Sequence, residues 1–341
     1  MTPIPFFENL FPGILGTYPS VTASVYDQEW RFHRGDEMSA LADLDIFCAF
    51  TNEGCGAAQT GMIWNNQYSS LFATSSIGTS AFNSAQITLR HAASHGLQAD
   101  VSYTFGHSFD LGSTAERFDI YGVQANSGAF SIIQSSYNPR SNRASSDFDT
   151  RHLITADWVY QFPFGRGKAF GNEAGRLTNA LISGWQFSGL GRWTSGLPFQ
   201  VGDGAGWASN WSYQAYMVQT GPIAQKKTII DGNPNAFANP AAALANMRLP
   251  YGGEAGQRNQ FRGDGYFGID AGLGKTWDTF ENQKLEFKWE VFNVTNAVRF
   301  DVLSINNFST DSVTPGAVSF GNYTGTLVNP RVMQFSLRYS F

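Results

Sequence analysis

Charge is scarce in this chain of 341 residues: Asp, Glu, Lys and Arg together make up 14% of it, against ~25% in ordinary soluble domains. The net charge is −5 and no strongly basic block is present, which disfavours nucleic acid as a partner, because phosphate backbones are held by clustered Lys and Arg. Long hydrophobic runs are missing too. No apolar stretch approaches the ~18 residues of a transmembrane helix. That leaves membrane strands open, since a barrel strand shows apolar groups only at alternate residues and its hydropathy stays modest. Cysteine is limited to Cys48 and Cys55; a disulfide in an oxidising compartment and two buried thiols both fit this spacing. The histidines His33, His91, His95, His107 and His152 show no tight metal spacing. No nucleophile elbow or Ser/His/Asp set stands out. No metal site, cofactor or enzymatic activity is therefore expected. The opening MTPIPFFENLFPGILG lacks the basic flank, apolar core and cleavage site of a signal peptide. The chain reads as either cytosolic or the back part of a longer exported protein.

Glycine and aromatic side chains are plentiful instead, with 36 Gly and 15% aromatics. This mix favours strands and turns, because Gly costs ~1 kcal/mol per helix position relative to Ala. The final stretch, RVMQFSLRYSF, puts Met333, Phe335, Leu337, Tyr339 and Phe341 on one side of an extended chain. Val332, Gln334, Ser336, Arg338 and Ser340 fall on the other. Its length is close to the ~9–11 residues with which a tilted strand crosses a bilayer. The same alternation would suit the half-buried edge strand of a soluble sandwich.

Similar runs recur upstream. They cover 83–91, 97–105, 151–162, 185–194, 266–274 and 285–292, which predicts about seven or more antiparallel strands in an all-β fold. Residues 1–82 show no sustained period and read as a long irregular surface loop, with a short helix expected over 37–50. Residues 83–341 form the strand-bearing part. The links between runs sort by length: 92–96 and 278–284 are short, 163–183 is intermediate, and the rest are long. Membrane barrels have short periplasmic turns and long outer loops, and a sandwich has no reason to sort its links this way. Charges respect the faces as well. Arg90, Asp100, Asp270, Glu286, Lys288, Glu290 and Arg338 all fall opposite the apolar set, where a wet lumen would receive them.

The closing strand, with Phe335, Leu337, Tyr339 and Phe341, resembles the C-terminal targeting strand that the barrel-assembly machinery reads in bacterial outer-membrane proteins. The segments ITLRHAASHGLQADVSYTFGHSFD, FDTRHLITADWVYQFPFGRGK, LISGWQFSGLGRWTSGLPFQV, FRGDGYFGIDAGLGKTW, LEFKWEVFNVTN and NPRVMQFSLRYSF resemble, in order, the C-terminal barrel segments of TonB-dependent receptor-like proteins of the Oar-like group. The likeness covers roughly residues 60–341. It implies an antiparallel transmembrane β-barrel, of which this chain holds the C-terminal segment, in the bacterial outer membrane as part of a longer parent. It further implies outer-membrane lipid and the assembly machinery as partners, TonB as a partner of an N-terminal part absent here, and uptake of a nutrient such as a siderophore or carbohydrate. A passive or adhesive outer-membrane barrel and a soluble secreted β-rich carbohydrate-binding module are the alternatives.

Other motifs are weaker. Gly274-Lys275-Thr276 resembles the end of a phosphate loop, but the required upstream Gly position is Ile269. Arg262-Gly263-Asp264 spells an integrin-type tripeptide, and Asn210, Asn293, Asn307 and Asn322 open formal glycosylation sequons. Trp207, Trp211, Tyr213 and Tyr216 cluster in a predicted outer loop and are candidate contacts for an unknown small ligand.

Overall fold

The computed structural model describes residues 1–28, 32, 40, 41, 44, 75–113, 133, 135, 138–202, 216–250, 254, 256–278, 283–306 and 319–341. Its centre is one antiparallel sheet. The long strands are β1 (Ser80–Ser94), β2 (Leu97–Asp110), β3 (His152–Gln161), β4 (Trp185–Thr194), β5 (Tyr266–Asp278), β6 (Lys284–Phe292) and β7 (Val332–Ser340). Each pairs with its neighbours in chain order, and the two-residue strand Ala144–Ser145 adds to the end of β2. Every alternating run of the sequence is a strand, and β1, β2 and β5 extend beyond the runs. No helix among the described residues is long and apolar enough to cross a membrane.

The expected short link at 92–96 shrinks to a turn. β1 continues to Ser94 through a register shift between His91 and Ser94. His95 and Gly96 then turn the chain with φ of 53° and 83°, the left-handed pair that matches strand twist in a two-residue hairpin. A Cβ on Gly96 would stand 2.5 Å from the Gln161 carbonyl oxygen, so backbone packing as well as φ requires glycine. The connections 95–96, 162–184 and 279–283 gather at this end of the sheet. The connections 111–151, 195–265 and 293–331 gather at the other.

Register makes the two faces continuous. One row runs Leu97–Tyr160–Phe187–Leu273–Trp289–Phe335 across six strands. A parallel row runs Ile87–Tyr103–Ile154–Trp193–Phe267. These side chains are not a core. Ile87, Phe267 and Phe335 are 62%, 48% and 67% exposed, and among the described residues the buried apolar side chains lie off the sheet, in the connections and the N-terminal segment. Soluble monomers do not leave an apolar surface of this extent open to water, whereas hydrocarbon accepts it.

Of residues 1–82, expected as an irregular loop with a helix over 37–50, the described N-terminal part is helical in places. Helices α1 (Pro5–Leu10) and α2 (Val21–Gln28) form there, and Phe11, Val21, Val25 and Leu44 make a small core. Phe7, Leu10, Phe11 and Ile14 have the spacing of a helical apolar stripe, and Pro5 occupies the first helical position. The Glu8 carboxylate accepts from the backbone nitrogens of Val21 and Thr22 at 3.1 and 2.9 Å, meeting the free donors at the start of α2. Hydrogen bonds from Thr22 hold its pKa below the ordinary carboxylate value. Of the helix expected over 37–50, Ala40, Leu41 and Leu44 are described and are helical. Cys48 and Cys55 lie outside the described residues.

Candidate functional site: a folded cap on the long-connection end

The described parts of the long connections 195–265 and 293–331 pack together into one cap. Its core comprises Leu197, Phe199, Val201 and Met217 from one side, Phe237, Met247 and Phe261 further along, and Val302, Ile305, Phe320 and Tyr323 from the β6–β7 connection. Phe237 is central: its ring centroid lies 5.9, 5.3 and 5.1 Å from those of Phe199, Phe261 and Phe320. Each fully buried Phe contributes roughly 1.5–3 kcal/mol of transfer free energy. Asn235 is fully buried and ties the two connections together. Its Nδ2 donates to the Phe320 carbonyl at 2.8 Å and to Asn322 Oδ1 at 2.9 Å, while its Oδ1 accepts from Phe237 N at 2.8 Å.

A polar network fastens this cap to the ends of β2 and β3. The Arg258 side chain is 2% exposed, and its Nη2 lies 2.7 Å from Asp110 Oδ1 and 3.2 Å from Asp147 Oδ1. The same nitrogen donates to Ser113 Oγ at 2.9 Å, and Nη1 reaches the Asp110 carbonyl at 3.3 Å. Burial works against the guanidinium charge, but Asp147 and Asp110 outweigh it and raise its pKa. A charge this deep is tolerated only with such partners.

Asp149 is the second node, with its side chain 1% exposed. Its Oδ1 accepts from Ser108 N at 2.7 Å, and its Oδ2 is held by Arg262 and lies 3.0 Å from His107 Nδ1. Burial pushes its pKa up, but the Ser108 amide, Arg262 and His107 overcome that and leave the carboxyl below its ordinary range. Tyr323 donates no charge here: burial pushes its hydroxyl up to about 12, while its oxygen accepts from Asp264 N at 3.1 Å.

The residues singled out in the sequence fall as follows. Tyr216 is half-buried in the cap and bridges to Gly202; Trp207, Trp211 and Tyr213 lie outside the described residues. Arg90, Asp100, Asp270, Glu286, Lys288, Glu290 and Arg338 share one face of the sheet, opposite the apolar rows. Arg90 pairs with Asp100 at 2.9 Å. Glu290 accepts from Gln334 at 2.6 Å, Glu286 stands in register with Arg338, and Asp270 accepts from Asn293 N at 2.7 Å. Phe335, Leu337 and Tyr339 are on the apolar face, and Phe341 is 95% exposed.

The weaker motifs find structural uses. Arg262 is bound to Asp149 and to the Gly196 carbonyl at 3.1 Å, and Asp264 is bound to Lys227, so the tripeptide is built into the cap and not displayed. Gly274-Lys275-Thr276 lies within β5. Asn293 and Asn322 are buried and hydrogen-bonded, which removes them as glycan acceptors; Asn210 and Asn307 lie outside the described residues. Sequence reasoning did not find Arg258, Asp147 or Asp149, since the partners lie up to |i−j| = 148 apart and no local pattern marks them. Among the described residues no group of three or more His, Cys, Asp or Glu side chains is arranged to hold a metal.

A family model described as an outer membrane beta barrel domain matches residues 34–334. Comparison with curated proteins and with solved structures finds no match.

Proposed function

The chain belongs to the outer membrane beta barrel domain family, and from that premise we propose that it supplies the C-terminal strands of a receptor barrel that takes up a scarce nutrient with energy delivered through TonB. It is a protein of the bacterial outer membrane, and its fold is the antiparallel β-barrel of that membrane. The soluble carbohydrate-binding alternative falls with that membership.

One observation carries the receptor reading. The described parts of the long connections are joined into a single cap by Arg258, Asp149 and the Phe237 core. A surface that must recognise a ligand gains affinity when its loops are ordered beforehand. In this reading the cap binds ligand outside the cell, with Tyr216 and the neighbouring Trp207, Trp211 and Tyr213 as aromatic contacts. The face bearing Arg90, Asp100, Asp270, Glu286, Lys288, Glu290 and Arg338 lines the wet path. β7 serves as the assembly signal through Phe335, Leu337, Tyr339 and Phe341.

The test is uptake by cells expressing the parent gene. A labelled siderophore or oligosaccharide is expected to enter, and entry is expected to stop when TonB is deleted. Entry independent of TonB would assign the parent to passive barrels, and cell adhesion without entry would assign it to adhesive ones. The tripeptide does not favour adhesion, because Arg262 and Asp264 are engaged internally.

A further inference from the structure

Lys275 breaks the pattern of its strand. It stands in register with Trp185 on β4 and Phe287 on β6, on the apolar face. A bare ammonium there would be costly in hydrocarbon, but this residue is only 2% exposed. Its Nζ lies 4.8 Å from the Trp185 ring centroid and 5.0 Å from that of Trp277, within cation–π range. It also donates to the carbonyl oxygens of Leu181, at 3.0 Å, and Ser183. Both indoles donate to the same stretch: Trp185 Nε1 to the Leu181 carbonyl at 2.9 Å, and Trp277 Nε1 to the Ala180 carbonyl at 2.8 Å.

Ala180 and Leu181 end a helix, α3 (Arg176–Ile182), in the β3–β4 connection. A helix C-terminus has carbonyls without helical partners and gathers negative dipole charge, so an ammonium and two indole N–H groups suit it. Three side chains of the apolar face therefore clamp α3 against the outside of the sheet. On α3, Leu177 and Leu181 are 84% and 72% exposed, and Phe170 in the same connection is exposed as well. Arg166, Lys168 and Arg176 are exposed as well, against the single carboxylate of Glu173, in a chain whose net charge is −5.

Exposed apolar side chains and an excess of exposed cations within one short connection fit the boundary between acyl chains and anionic headgroups. We propose that residues 162–184 form a collar that binds anionic phospholipid of the inner leaflet. Leu177, Leu181 and Phe170 enter the acyl boundary, and Arg166, Lys168 and Arg176 hold the headgroup phosphates. The leaflet follows from the position of this connection at the short-turn end, which faces the periplasm in membrane barrels. The proposal rests on the apolar face of the sheet meeting lipid.

The probe is native mass spectrometry of the full chain, purified in neutral detergent and titrated with phosphatidylglycerol or phosphatidylcholine. Wild type is expected to retain phosphatidylglycerol preferentially. The triple variant R166Q/K168Q/R176Q is expected to lose that preference by roughly fivefold per charge removed. Equal retention of the two lipids by wild type, or an undiminished preference in the triple variant, overturns the collar. Limited trypsin digestion of Lys275→Met is the second measurement: faster cleavage at Arg176 with β5 intact is expected, and an unchanged cleavage rate overturns the clamp. A chain that stays soluble after detergent removal and binds neither lipid would instead sink the lipid-facing sheet itself.

Discussion

Trp289 on β6 and Phe335 on β7 are register partners whose rings lie 5.9 Å apart with planes 10° from parallel. The stack sits on the apolar face, and Phe287 with Leu337 is the next pair along that face. Charge at Leu337 is therefore expected to destabilise by roughly 2–4 kcal/mol if the residue lies at mid-bilayer. Charge at Ser336, which stands opposite Lys288 on the polar face, is expected to be tolerated. Denaturant titration of Leu337→Arg and Ser336→Glu in lipid vesicles checks this, and equal losses at the two positions would contradict the assigned faces.

Arg258 joins the β4–β5 connection to Asp110 and Asp147. Its replacement by Met leaves two buried carboxylates without their cation, a change that costs about 3–5 kcal/mol when a buried pair is broken on one side. The loss is expected in the cap and not in the strands. Hydrogen exchange should quicken at the amides of Asp147 and Ser146 while the β5–β6 ladder stays protected. Uniform loosening of both would show that cap and sheet unfold together.

Asp149 gives the cap a defined acid response. Its pKa is lowered in the folded protein from the ordinary 3.8, so the unfolded chain binds the proton more readily. The stabilisation is complete above 3.8 and fades as pH falls through the lower folded value. Cap stability measured against pH is expected to drop below about 3.8, and Asp149→Asn should flatten that drop while lowering stability at neutral pH. A drop of equal size in the variant would place the acid response elsewhere.

Tyr323 should titrate late. Its pKa is raised from 10.0 to about 12, so its contribution is present below 10.0 and is lost as pH rises through the folded value. Phenolate absorbance of the folded protein should show a component near the upper value that Tyr323→Phe removes. Its persistence in the variant would assign the late phase to another phenol.

The strands were legible because alternation is local: a pleated chain points successive side chains to opposite faces whatever it packs against. The run Phe267, Ile269, Ala271, Leu273 could have been followed to Lys275 and Trp277, but a lysine in the apolar phase reads as a strand end. Only the fold shows α3 supplying carbonyls to that ammonium. Helix α1 is hard to read because it spans only Pro5–Leu10, too short for an apolar stripe to repeat.

From the amino-acid order alone came the two-faced strands, their antiparallel succession and the segregation of short from long connections. These depend on period and on turn chemistry, which neighbouring residues carry between them. Tertiary structure alone decided that the described parts of the long connections form one cap, and that Asp110, Asp147 and Arg258 meet where it joins the sheet. Such meetings follow from the register of whole strands and the packing of buried rings, and no short window of sequence records either.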